Sequence, residues 1–197
     1  MQPKRRSPRC AKLHYQARRQ PAQTGLIVDV RNDPGGLLDQ AVKVTSQFLT
    51  DGNVLLRADA HDNRTPFPVQ PGGLAPSIPL VVLINPGTAS SAEIFAGAMQ
   101  DHQRGQVVGE TTFGTGTVLE PFALDDGSEL LLGTKQWLTP NGRLIRNQGI
   151  KPDIEIKLPL GTDLLSPDEV KTMSLDQINA SADTQLAKAI ALLGANK

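Results

Sequence analysis

The feature that most constrains this chain is a run of five apolar residues, Leu80-Val81-Val82-Leu83-Ile84. A strand apolar at every position is buried on both faces, the pattern of a parallel sheet sandwiched between other layers. A second such strand, Gly25-Leu26-Ile27-Val28-Asp29-Val30, precedes it. Each strand runs into a turn of small and polar residues and then a helical period: Asn32–Gly36 before a helix over 37–49, and 85–89 before a helix over 90–102. Short strands are expected at 53–57, 106–109, 118–124, 129–138 and 154–158. Asp125-Asp126-Gly127 is a hairpin turn, and an amphipathic helix closes the chain at 181–193. Residues 58–78, rich in proline and glycine, read as a long surface loop. The order strand–helix–strand–helix–strand–hairpin predicts an α/β fold with a mixed sheet and right-handed crossover helices.

The 197 residues, 39% of them apolar, suffice for one modest core. The expected division is a basic tail at 1–23, a core domain at 24–158, and a linker with a helix at 159–197. The formal net charge of zero hides an asymmetry. Residues 1–23 hold seven Lys/Arg and no acid, leaving thirteen basic and twenty acidic residues in the rest. A basic head can touch nucleic acid or anionic lipid, but a solvated tail is the expectation, with no nucleic-acid partner. No apolar stretch follows its charges, as a secretory signal requires. No apolar run reaches the roughly eighteen residues of a membrane span. The single Cys10 excludes an internal disulfide framework. No cofactor motif is present, and oligomeric state is not legible.

Gly87-Thr88-Ala89-Ser90-Ser91-Ala92-Glu93 joins a buried strand to a helix. Small residues let the backbone turn sharply, and Ser90 stands at a helix N-terminus, where free N–H groups and the helix dipole favour a developing oxyanion. Ser90 is therefore a candidate nucleophile. The competing structural reading is a Ser-x-x-Glu capping box formed with Glu93. Gly35 and Gly36 follow the carboxyl end of a buried strand, where open α/β sheets place ligands. Their N–H groups, with that of Ser91, are candidates for an oxyanion hole; the structural alternative is a tight turn that needs glycine.

Five ordered segments resemble the carboxyl-terminal processing peptidases, or tail-specific proteases. Leu26–Leu38 resembles their Asp-Leu-Arg-Asn-Asn-Pro-Gly-Gly signature, Gly87–Ala96 their nucleophile segment, and Val108–Val118 their Val-Gly-Glu-x-Thr-Phe-Gly-Lys-Gly-Thr-Val segment. Leu138–Arg143 and Gly149–Asp153 match their closing motifs. The resemblance covers roughly residues 24–157. It implies a ClpP/crotonase-like core, a serine peptidase cleaving polypeptides near their C-termini, and a periplasmic or other extracytoplasmic location for a full-length form. The family's helical cap and PDZ-type module have no counterpart in this chain.

The resemblance also implies a Ser–Lys dyad. Its serine is Ser90; its lysine position holds Thr115, and the supporting glutamine position holds Leu119. Threonine is no base near neutral pH, whereas a desolvated lysine is. Lys135, on the strand expected to pair with 118–124, is the nearest alternative base; Lys43 and His61 are more remote. Asp101 matches an aspartate of some members, but eleven residues along a helix is about 16 Å, so an anchoring role is expected. Two further readings stand beside the peptidase. One is a catalytically silent relative that binds extended peptide at a sheet edge. The other, a crotonase-type acyl-CoA enzyme, is opposed by the closing motifs.

Overall fold

The structure, a computed structural model, describes residues 25–194. The basic tail expected at 1–23 lies outside them. Parallel and antiparallel pairings occupy two separate sheets. The first is parallel, with strands β1 (Leu26–Asp29), β4 (Leu80–Ile84), β5 (Gln106–Gly109) and β8 (Ile154–Glu155) in the order β1-β4-β5-β8. The second is antiparallel, in the order β3-β2-β7-β6, from β2 (Asn53–Ala58), β3 (Arg64–Pro68), β6 (Thr117–Ala123) and β7 (Glu129–Leu138). Helix α1 (Leu38–Thr45) follows β1, and α2 (Ser91–Asp101) follows β4.

All of β4 is buried, and its alternating side chains serve two cores. Leu80, Val82 and Ile84 join Val107, Phe95, Met99 and Val54 between the parallel sheet, helices α1 and α2, and the second sheet. Val81 and Leu83 face the other way, toward Val108, Ile178, Leu186, Ala189 and Leu193. This second cluster comes largely from the C-terminal segment: the short helices α3 (Pro167–Val170) and α4 (Leu175–Asn179), then α5 (Thr184–Gly194). The segment expected to be a linker with a helix thus builds half of the sheet's cover. Among the described residues, both faces of the parallel sheet carry packed side chains.

Two element assignments also differ. The expected loop at 58–78 contains β3, paired with β2 through Leu55↔Phe67 and Arg57↔Thr65. Pro66 and Pro68 argue against a strand, but β3 is an edge strand, where a missing N–H is tolerated. Helix α1 stops at Thr45 instead of running to Leu49. The Ser46 hydroxyl there donates to the Val42 carbonyl at 2.7 Å.

Candidate active site

Loop 85–89 brings the chain from β4 to α2 and meets the turn after β1 at several points. Asn85 and Asn32 bond reciprocally: the Asn32 N–H donates to Asn85 Oδ1 (2.8 Å), and Asn85 Nδ2 to Asn32 Oδ1 (2.9 Å). Thr88 Oγ1 donates to the Val30 carbonyl (2.7 Å), and the Ala89 N–H to the Asp33 carbonyl (2.9 Å). Ser90 ends the loop with φ 54° and ψ −119°, a conformation that L-residues other than glycine adopt only under strain. A sharp strand-to-helix turn of this kind presents a side chain outward at the top of a sheet, as in nucleophile elbows.

The Gly35 turn lies against that elbow. A Cβ on Gly35 would come within 2.8 Å of both Ser90 Cβ and the Ser91 nitrogen, and φ there is 88°, so only glycine fits. Ser90 and the glycine turn are therefore brought together, as the sequence predicts. The donors sort differently. The Gly35 N–H is taken by Asp33 Oδ1 at 2.8 Å, which closes a local turn, so Gly35 supplies space and not a donor. Among the described residues, the N–H groups of Gly36 and Ser91 have no acceptor. A cavity of about 200 Å³ opens beside them, lined by Gly36, Leu37, Ala41, Val44, Ser91 and Phe95.

Sequence reading missed the residue that organises this site. Glu93 does belong to the capping box, and its Oε2 accepts the Ser90 N–H at 2.9 Å. It is also completely buried and reaches across to the loop that carries Thr115. Oε2 accepts the Thr115 N–H at 2.9 Å; Oε1 accepts the Gly114 N–H at 2.6 Å and the Thr112 hydroxyl. One carboxylate thus holds two loops, and the shared Oε2 keeps the backbone nitrogens of residues 90 and 115 within about 6 Å of each other. The available signal was a lone charge in an otherwise small and apolar stretch, Ala92–Met99, all of it buried. Thr112 completes the bracing by accepting the Ile150 N–H at 2.7 Å.

The proposed substitute base is engaged elsewhere. Lys135 Nζ pairs with Glu120 Oε1 across β6–β7 and lines a different cavity, with Asp59, Asp62 and Arg146. Lys135 thus faces Glu120 and a cavity other than the one beside Gly36 and Ser91, contrary to the part expected for it. Asp101 behaves as its distance from Ser90 implies: its carboxylate accepts the Asn141 N–H (2.8 Å) and Arg143 Nε (3.0 Å), anchoring the turn at 140–143.

The comparisons with known proteins show the family. The profile of Peptidase family S41 matches residues 9–156. The chain belongs to that family. The S41 match begins inside the basic segment, ahead of the boundary expected at Thr24. The chain is 42% identical over 137 residues to a carboxy-terminal-processing protease of Bartonella bacilliformis, covering 69% of this chain and 32% of the relative. It is 36% identical over 169 residues to a carboxyl-terminal-processing protease of Synechocystis, covering 86% and 36%. Among solved structures, the photosystem II D1 C-terminal processing protease superimposes with a TM-score of 0.66 at 37% identity, over 69% of this chain and 36% of that one. The chain spans about a third of the length of these S41 relatives. Among the described residues no helix is long and apolar enough to cross a membrane.

Proposed function

We propose that this chain is the core of an S41 serine peptidase that cleaves polypeptides near their C-termini, with Ser90 as acyl-forming nucleophile. The carrying observation is the strained Ser90 elbow wedged against Gly35, with the Gly36 and Ser91 N–H groups unpaired beside it. Ser90 Oγ attacks the scissile carbonyl, and the oxyanion forms between those two donors. The attack forms the C–Oγ bond; collapse of the oxyanion re-forms the carbonyl and breaks the C–N bond, the amine leaves with the proton given up by Ser90, and water then hydrolyses the acyl ester and frees Oγ. The serine proton needs an acceptor. Resemblance to the family puts a lysine at position 115, and Thr115 cannot take that part. Glu93 is no substitute, because each of its oxygens already accepts two hydrogen bonds. Turnover by the present chain is therefore expected to be very weak. The basic tail and the full-length location have no part in this reading.

The test is Thr115→Lys with Leu119→Gln, assayed on an unfolded protein substrate. Restoring a general base is expected to raise hydrolysis by about 10²–10⁴-fold, and Ser90→Ala added to the pair abolishes the gain. A folded double variant with no serine-dependent hydrolysis removes this reading in favour of the catalytically silent peptide-binding relative, which the threonine itself favours.

A further inference from the structure

The turn that presents the Gly36 N–H is tied at its base to the far end of the chain. Arg31 stands between β1 and the Asn32–Gly36 turn, and its guanidinium is wholly buried, as is the Asp183 carboxylate. The two meet in a two-pronged pair, Nη1 to Oδ1 at 2.7 Å and Nη2 to Oδ2 at 2.9 Å. Asp29 closes the other side through Nε to Oδ1 (3.0 Å) and Nη2 to Oδ2 (2.7 Å), and Gln185 Oε1 accepts from Nη1 at 3.2 Å. Asp183 also accepts the Leu186 N–H at the start of α5 (3.0 Å) and the Leu165 N–H (3.1 Å). One carboxylate therefore fixes the start of α5, the strap leading to it and Arg31 together.

Holding α5 in place does not require this pair. Leu186, Ala189 and Leu193 already pack on Val81, Leu83 and Val108, and an apolar pair often stabilises a core as well as a buried ion pair does. The pair adds direction, because a guanidinium fork gripped on two sides admits one orientation. The next residues need such a reference. Asn32 has φ 55° and Gly35 φ 88°, and the turn's other anchors, the Asn32–Asn85 pair, Thr88 Oγ1 on the Val30 carbonyl and the Ala89 N–H on the Asp33 carbonyl, all come from the 85–89 side. We propose that Arg31 and Asp183 are positioning residues, through which the C-terminal helix sets the direction of the Gly36 N–H beside Ser90. This rests on the reading of Gly36 and Ser91 as oxyanion donors.

The test compares Asp183→Asn with Leu193→Ala in the whole chain by amide NMR. Leu193→Ala loosens α5 by a cavity and leaves the ion pair intact. The Asn32 and Ala89 amides, bonded across to Asn85 and Asp33, report whether the turn is docked. In Asp183→Asn they are expected to exchange at least about tenfold faster relative to amides of the β6–β7 hairpin, with the Gly36 and Ser91 resonances displaced. In Leu193→Ala, at a comparable loss of thermal stability, neither change is expected. Equal effects in the two variants, or no local effect in Asp183→Asn, overturn the proposal. Should Asp183→Asn not fold, Asp183→Glu, which keeps the charge and moves it by one methylene, is read by the same two outcomes. The readout is backbone exchange, so it is decided whether or not Ser90 proves chemically active.

Discussion

Replacing Glu93 with glutamine leaves volume and shape nearly unchanged, so its effect reports the carboxylate alone. Oε1 receives Thr112 Oγ1 and the Gly114 N–H, and Oε2 receives the N–H groups of Ser90 and Thr115. Whichever way the amide turns, its NH₂ faces two donors, so at least two charge-assisted bonds vanish. Such bonds are worth about 1.5–3 kcal/mol each, and their donors stay buried without acceptors. The expected loss is about 3–5 kcal/mol, a large part of the roughly 5–15 kcal/mol that holds a domain together. Urea unfolding followed by fluorescence of Trp137, the only tryptophan, measures it directly. With a slope of about 2–3 kcal/mol/M, the midpoint should fall by about 1–2 M at unchanged slope. A fall under roughly 0.3 M would refute the hub, because the four donors would then have found other acceptors at little cost.

Two further outcomes follow from the same geometry. Ser90→Gly should stabilise the fold by about 1 kcal/mol relative to Ser90→Ala, since glycine relieves strain of order 1–3 kcal/mol while losing some backbone entropy; a melting point for Ser90→Gly at or below that of Ser90→Ala contradicts the strained elbow. In acid, Asp183 should dominate a loss of stability. Burial pushes its carboxyl up, but the hydrogen bonds from Arg31 and from backbone N–H groups outweigh this and hold it below the usual aspartate value. A lowered folded-state pKa means that the stabilisation is complete above the unfolded value, near 3.8, and is lost as the pH falls through the folded one. Melting temperatures between pH 5 and pH 2 should therefore drop more gently in Asp183→Asn than in the parent, and parallel curves would show that the pair carries no such linkage.

The parts of the fold legible in the sequence are those whose burial is complete or strictly periodic. Strand β4 shows itself because both of its faces are covered, and α2 because its stripe sits beneath the sheet. Strand β3 hides behind Pro66 and Pro68, which sheet interiors exclude and edges accept. The part of the second core ahead of α5 hides for a different reason: Val170 and Ile178 sit on one-turn helices, each capped by its own Ser-x-x-Glu or Ser-x-x-Gln box, too short to show a period. At the site, the Ser90–Gly35 approach was readable from residue size alone. The sorting of donors was not, because whether Gly35 or Gly36 keeps a free N–H depends on the Asp33 side chain two residues away. Glu93 was misjudged through its local sufficiency. A capping box accounts for it within one helical turn, and only the tertiary approach of the 112–115 loop shows three further donors.

That approach also bears on what the threonine means. Residue 115 is held through its backbone N–H on Glu93, while Gly114 and Gly116 take φ of 84° and 42° and leave no room for a Cβ against Gly149 and Arg146. Neither constraint involves the side chain at 115. Lys135 pairs with Glu120 on the β6–β7 hairpin. On the proposed reading the departures from the family pattern are the side chains of residues 115 and 119, while Glu93 holds the backbone of residues 90 and 115 and Arg31 pairs with Asp183 behind the glycine turn. Under the proposed reading, such a change removes the proton acceptor and not the Gly36 and Ser91 N–H donors, so base restoration, and not redesign of the turn, is the experiment that discriminates between a peptidase core and a silent relative.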